Sequence, residues 1–172
     1  MKRDAAIVTK CTENPKTGSQ SIMANHEYFM REALEEASKA YKKGEVPVGA
    51  VVVRDNQIIG RGHNQRETLQ LSRGHAEMMA IEEASLTIGS WRLEQCSLYV
   101  TLEPCPMCAG ASVQSRIDYV YYGTKDDKNG VDSSGINVFE GKYTHTPHLQ
   151  GGVLEDEART LMKSFFKTLR NQ

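Results

Sequence analysis

The segment EPCPMC at residues 103–108 constrains the fold more than any other stretch of the chain. Pro104 closes the extended run SLYVTLE (97–103). Pro106 suits the first turn of a helix, where its missing N–H would have no partner in any case. Cys105 and Cys108 then face the same way from a helix start, where the dipole and the free N–H groups favour thiolates. Upstream, HAEMMAIEEA (75–84) opens a second helix just after Gly74. If the two clusters share one task, the fold has to bring two helix starts together.

That task is legible in the residue types. His75, Cys105 and Cys108 make a Cys₂His set, and catalytic zinc sites use three protein ligands and leave a fourth position open. Zinc is the favoured metal, although the ligand types also admit iron. Glu77 need not be a ligand: a carboxylate beside such a metal can take a proton from water and deliver it to a substrate. Each piece alone is weak, since H-x-E occurs by chance and a lone C-x-x-C can be a redox pair or half of a structural zinc site. The redox reading lacks the Trp-Cys-Gly-Pro-Cys context of thioredoxin-like chains. A zinc ribbon would need a second pair, for which His145 and His148 are the candidates. Together, H-A-E at one helix start and P-C-x-x-C at the next, after a strand, match the signature of hydrolytic zinc deaminases.

The rest of the chain supplies a frame. Phe29, Met30, Ala33, Leu34, Ala37, Ala40 and Tyr41 recur at helical steps, with Asn25 placed to cap the helix. Val48–Val53 and Ile58–Gly62 flank a polar Asp55–Asn56 turn and read as an antiparallel hairpin. SLYVTLE and DYVYYG (118–123) read as further strands on either side of the helix that begins at Pro106. The stretch 124–150 shows no period, and a long amphipathic helix starting near Leu154 ends the chain. This alternation predicts a three-layer α/β/α fold with a mixed sheet. At 172 residues, one domain over 23–172 is expected, preceded by a disordered extension over 1–22.

Net charge is −1, which argues against indiscriminate coating of nucleic acid and leaves room for a local basic patch. No apolar run approaches the roughly 20 residues that span a bilayer, and the first residues lack an apolar signal core. A cytoplasmic protein with no membrane partner is the expectation, and Cys11 and Cys96 then read as an incidental and a buried free thiol.

From about residue 26 to 123 the chain closely resembles bacterial tRNA-specific adenosine deaminases of the cytidine deaminase-like superfamily. The matching pieces are GEVPVGAVVV (44–53), GRGHNQRET (60–68), HAEMMAIEEA, GSWRLEQCSLYVTLEPCPMCAGA (89–111) and VYYGTKDDKNG (120–130), with GGVLEDEARTLMKSFFKTLR (151–170) like the family's closing helix. The resemblance implies a five-stranded sheet, a homodimer, one zinc per subunit on His75, Cys105 and Cys108, and Glu77 as proton shuttle. It implies adenosine-to-inosine conversion at the wobble position in the tRNA anticodon loop, where extruding a base costs little. It also implies substrate contacts from Asn64 and Asp126, with Val46, Ala76 and Pro104 around the pocket. From the sequence alone, Asn64 would pass for a turn residue, and Val46 and Pro104 for packing residues.

Two stretches depart from the family pattern. VDSSG (131–135) puts Asp132 where a small uncharged residue is expected, and YTHTPHLQ (143–150) replaces an Asn-His pair. A carboxylate there would suit a free nucleobase or nucleoside (guanine, cytosine or a modified purine), which is the alternative substrate class. Arg159, Lys163, Lys167 and Arg170 form a basic stripe on the last helix, read equally as a solvated face or as phosphate contacts.

Overall fold

The hairpin forms from β1 (Gly49–Arg54) and β2 (Gln57–His63). Asp55 and Asn56 take left-handed φ values of 50° and 59°, the turn that matches the twist of the paired strands. β3 (Cys96–Leu102) pairs antiparallel with β1, and β4 (Tyr119–Thr124) pairs parallel with β3. A short β5 (His148–Gln150) adds in parallel to β4, giving the order β2-β1-β3-β4-β5. The expected mixed five-stranded sheet is therefore present in this computed structural model, which describes residues 18–171.

Helices cover both faces. α1 (Gly18–Lys42) and α5 (Glu155–Arg170) share one face, joined through the Tyr41 and Phe165 rings and an Arg31–Glu157 ion pair. α3 (Ala76–Ile88) and α4 (Pro106–Gln114) lie on the other, with the four-residue α2 (Arg66–Leu69) at the exit of β2. The strands sort their side chains by parity, as a pleated sheet buried on both faces requires. Ala50, Val52, Leu98, Val100 and Val120 meet Ala76, Ala80 and Ala84 of α3, whereas Val51, Val53, Tyr99 and Tyr121 meet Phe29, Met30 and Ala33 of α1. Gly60 and Gly62 let α3 approach β2 closely, because a Cβ at Gly62 would strike the Ala76 carbonyl and one at Gly60 the Ala80 carbonyl. This contact sets the height of the α3 N-terminus above the sheet.

Two local expectations change. α1 begins at Gly18, so Asn25 sits inside the helix and caps nothing; no proline or glycine separates the two positions. Of the expected disordered extension, residues 18–22 therefore belong to α1, and residues 1–17 lie outside the described residues. The stretch without period contributes β5, too short at three residues to show alternation. The ribbon pair is dispersed: the His145 ring bonds the Ile117 carbonyl at 2.6 Å, and His148 packs edge-on to Tyr119.

Candidate active site

Two helix starts carry the metal-ligand set. His75 is the N-cap of α3 and Cys105 the N-cap of α4, with Pro106 following as the first helical residue. Neither side chain is taken up in a capping hydrogen bond, and the two turn toward each other between the helices. His75 Nδ1 lies 3.7 Å from Cys105 Sγ and 3.6 Å from Cys108 Sγ. Tetrahedral zinc with ordinary bond lengths would separate nitrogen and sulfur by about 3.5 Å, so the donor set fits zinc in type and in spacing. Among the described residues, these three are the ligand-type group close enough to share an ion.

The charges at this end are set by burial and by one another. Cys105 drops to about 4 because it accepts from the Cys108 thiol, with His75 helping against the cost of burial. Cys108 is pushed far up by bonding to Cys105 and by burial, and His75 is raised by its bond to Cys105. Glu77, one helical position past Ala76, is 4% exposed, and burial pushes its carboxyl up to about 7.

A cavity of about 310 Å³ opens over this end, a volume suited to one nucleoside-sized group. His75, Glu77 and Cys105 line it, and so do Val46, Asn64, Ala76 and Asp126. Cys108 is fully buried behind the floor. Pro104 is buried outside the lining, where its carbonyl accepts from the Val131 N–H at 2.9 Å. Asp132 is exposed and away from the cavity, so the carboxylate that favoured a free base as substrate does not face the site.

The structure adds Val48, Arg66, Leu102, Glu103 and Asn129 to the lining. It also reveals that two buried carboxylates hold the rim. Glu45 accepts from the Thr68 N–H at 2.6 Å and the Glu67 N–H at 3.3 Å, which fastens α2. Burial pushes its carboxyl up, but those N–H groups and Arg66 outweigh it and leave it below the usual carboxylate range. Glu103, 2% exposed, accepts from Asp126, Asp132 and Ser133 in the opposite loop. In the sequence both stand as single glutamates beside apolar runs, in GEVPVGAVVV and in SLYVTLEPC, and that pattern by itself does not mark burial.

Residues 23–124 match the cytidine and deoxycytidylate deaminase zinc-binding region. The chain belongs to this zinc deaminase family. Over 151 residues it is 49% identical to the tRNA-specific adenosine deaminase of Bacillus subtilis (strain 168), covering 87% of this chain and 94% of that one. A solved structure from work on A-to-I editing by tRNA:A34 deaminases at the wobble position of transfer RNA is 41% identical. It superposes with a TM-score of 0.75, covering 78% of this chain and 98% of that one. A guanine deaminase from Nitrosomonas europaea shares the fold at 23% identity and a TM-score of 0.69, covering 81% of this chain and 83% of that one. The resemblance drawn from the sequence motifs is thus borne out, and the deaminase is a zinc hydrolase by family. No described helix of it is long and apolar enough to cross a membrane.

Proposed function

We propose that the deaminase converts adenosine to inosine at the wobble position of tRNA, within the anticodon loop, and releases ammonia. A groove of about 620 Å³ carries this reading, because it shares Val46, Leu102, Asp126 and Asn129 with the cavity and continues to α5. Lys125, Lys128, Arg159, Lys163 and Arg170 line it beside Asp127, Met162 and Phe166, so all of the basic stripe except Lys167 meets the site. A free base has no phosphates for such a groove, whereas an RNA backbone does. The similarity to tRNA-specific adenosine deaminases supports the same substrate.

His75, Cys105 and Cys108 would hold one zinc per subunit, which when bound supplies the Lewis acidity that makes water a nucleophile near neutral pH. Glu77 takes the proton of that water and passes it to ring N1 as oxygen adds at C6. It then takes the remaining proton from the hydroxyl now on C6 and delivers it to the amine, which leaves as ammonia as the C6 carbonyl forms. Burial raises this carboxyl, which favours its holding a proton between the two transfers. Asn64 already spends one N–H on the Val46 carbonyl and its oxygen on the Arg66 N–H. One donor and one acceptor position remain for the nucleoside. Val46 and Ala76 form walls of the cavity, and Pro104 holds the neighbouring loop through the Val131 N–H. Asp126, whose carboxylate accepts from Lys128, Asn129 and the Asn129 side chain, meets the substrate backbone at the rim. Residues 23–172 would act as one domain, as a cytoplasmic homodimer.

The test is inosine formation at the wobble position of an arginine tRNA transcript by zinc-loaded protein. Inosine is expected. Ammonia from free guanine, cytosine or a modified purine, with none from the transcript, would overturn the proposal.

A further inference from the structure

We infer that Glu103 is a positioning residue that sets the loop Asp126–Ser133 against the metal end of the cavity, so that Asp126 and Asn129 reach the substrate. Glu103 lies two residues before Cys105, at the end of β3, and its N–H donates to the Thr124 carbonyl at 2.8 Å. Its carboxylate is nearly inaccessible to water, at 2% exposed, and takes four donors from one loop. One oxygen accepts from the Asp132 N–H at 2.8 Å and the Ser133 N–H at 2.9 Å. The other accepts from the Asp126 N–H at 3.1 Å and the Ser133 hydroxyl at 2.6 Å. A Cβ at Gly130 would strike this carboxylate, so glycine lets the loop close over it. The next residue adds a fifth tie, from the Val131 N–H to the Pro104 carbonyl.

The loop held this way is the one that faces substrate. Asp126 and Asn129 line both the cavity and the basic groove, and Lys128 lines the groove between them. Since Glu103 and Cys105 are joined through Pro104 alone, the rim cannot shift against the metal ligands without breaking charge-assisted hydrogen bonds. VDSSG acquires a role here: Asp132 contributes its backbone N–H, and Ser133 contributes both N–H and hydroxyl.

The inference rests on the proposed function only for its assay substrate. Glu103→Gln keeps the shape but places an NH₂ where the second oxygen was. The Ser133 hydroxyl can turn to accept, whereas the Asp126 N–H is left without a partner. Three measurements on the zinc-loaded enzyme decide the matter: zinc content, hydrogen exchange by segment, and KM and kcat on an anticodon stem-loop RNA. Zinc content should stay at the wild-type level and exchange should rise over residues 126–133 alone. KM should rise about tenfold, with kcat within about threefold of wild type. Wild-type KM with a loosened loop, or loss of zinc from a variant whose exchange stays at the wild-type level outside residues 126–133, overturns the inference. If Glu103→Gln fails to fold, Ser133→Ala removes one donor and should raise KM about threefold, and an unchanged KM with a loosened loop again overturns it. If the wild type makes no inosine, the tRNA reading fails by itself, and the same KM-against-kcat comparison is run on the base or nucleoside the enzyme deaminates.

Discussion

The floor of the cavity hangs from two helix N-termini, at His75 and Cys105, whereas its rim is the four-residue helix α2 and the loop 126–133, tied to the buried glutamates Glu45 and Glu103. Helix starts anchored on a sheet offer fixed directions. They suit groups whose positions must hold within tenths of an ångström, such as metal ligands and a proton carrier. Both rim segments lie outside the sheet, and a single helical turn is too short to fix itself in place. Their N–H groups are collected instead by carboxylates planted on the floor side, at residues 45 and 103. Chemistry and recognition are thus supported separately within one small cavity.

With supports separated in this way, damage to the floor abolishes turnover and damage to the rim weakens it. Cys105→Ala should bind no stoichiometric zinc, checked by metal analysis, and lose deamination by on the order of 10³ or more. Glu77→Ala should keep its zinc and lose kcat by about 10²–10⁴-fold, and near-normal turnover would remove the proton role assigned to it. Asn64→Ala should lower kcat/KM by about 10–100-fold through the nucleoside contact, without change in metal content.

At the rim, Glu45→Gln should cost about 1–2 kcal/mol in denaturant unfolding at pH 7. Because the folded carboxyl titrates below its usual range, its contribution is full above the unfolded value of about 4.3. It is lost as pH falls through the folded value, so wild type and variant should converge in acid. A gap that persists at low pH would mean the carboxylate charge is irrelevant. The smallest effect is expected at the far end of the groove, where Lys163→Ala should raise KM for tRNA by about two- to fivefold and flatten its salt dependence.

These two regions also differ in how far they could be read from the chain. The metal set was legible because His75, Cys105 and Cys108 are rare types at fixed spacings beside helix-start signals, and Glu77 stood out only by its place two residues past His75. The hairpin and both long amphipathic helices were legible from period and turn residues. The rim was not, because Glu45 and Glu103 look like ordinary charged residues until their burial is known. Asp132 misled for the converse reason: a carboxylate near a pocket in sequence has no direction until the loop is folded.

What the sequence determined by itself is the reaction type and the order of elements, since ligand chemistry and hydrophobic period are local properties. Tertiary structure decided which side chains line the cavity. It brought Val46, Asn64 and Asp126, from three separate segments, to one cavity, and it turned Ser133 toward Glu103 while leaving Asp132 in water. Those outcomes depend on where distant backbone N–H groups find acceptors once the sheet has formed, and a one-dimensional pattern does not encode such long-range pairing.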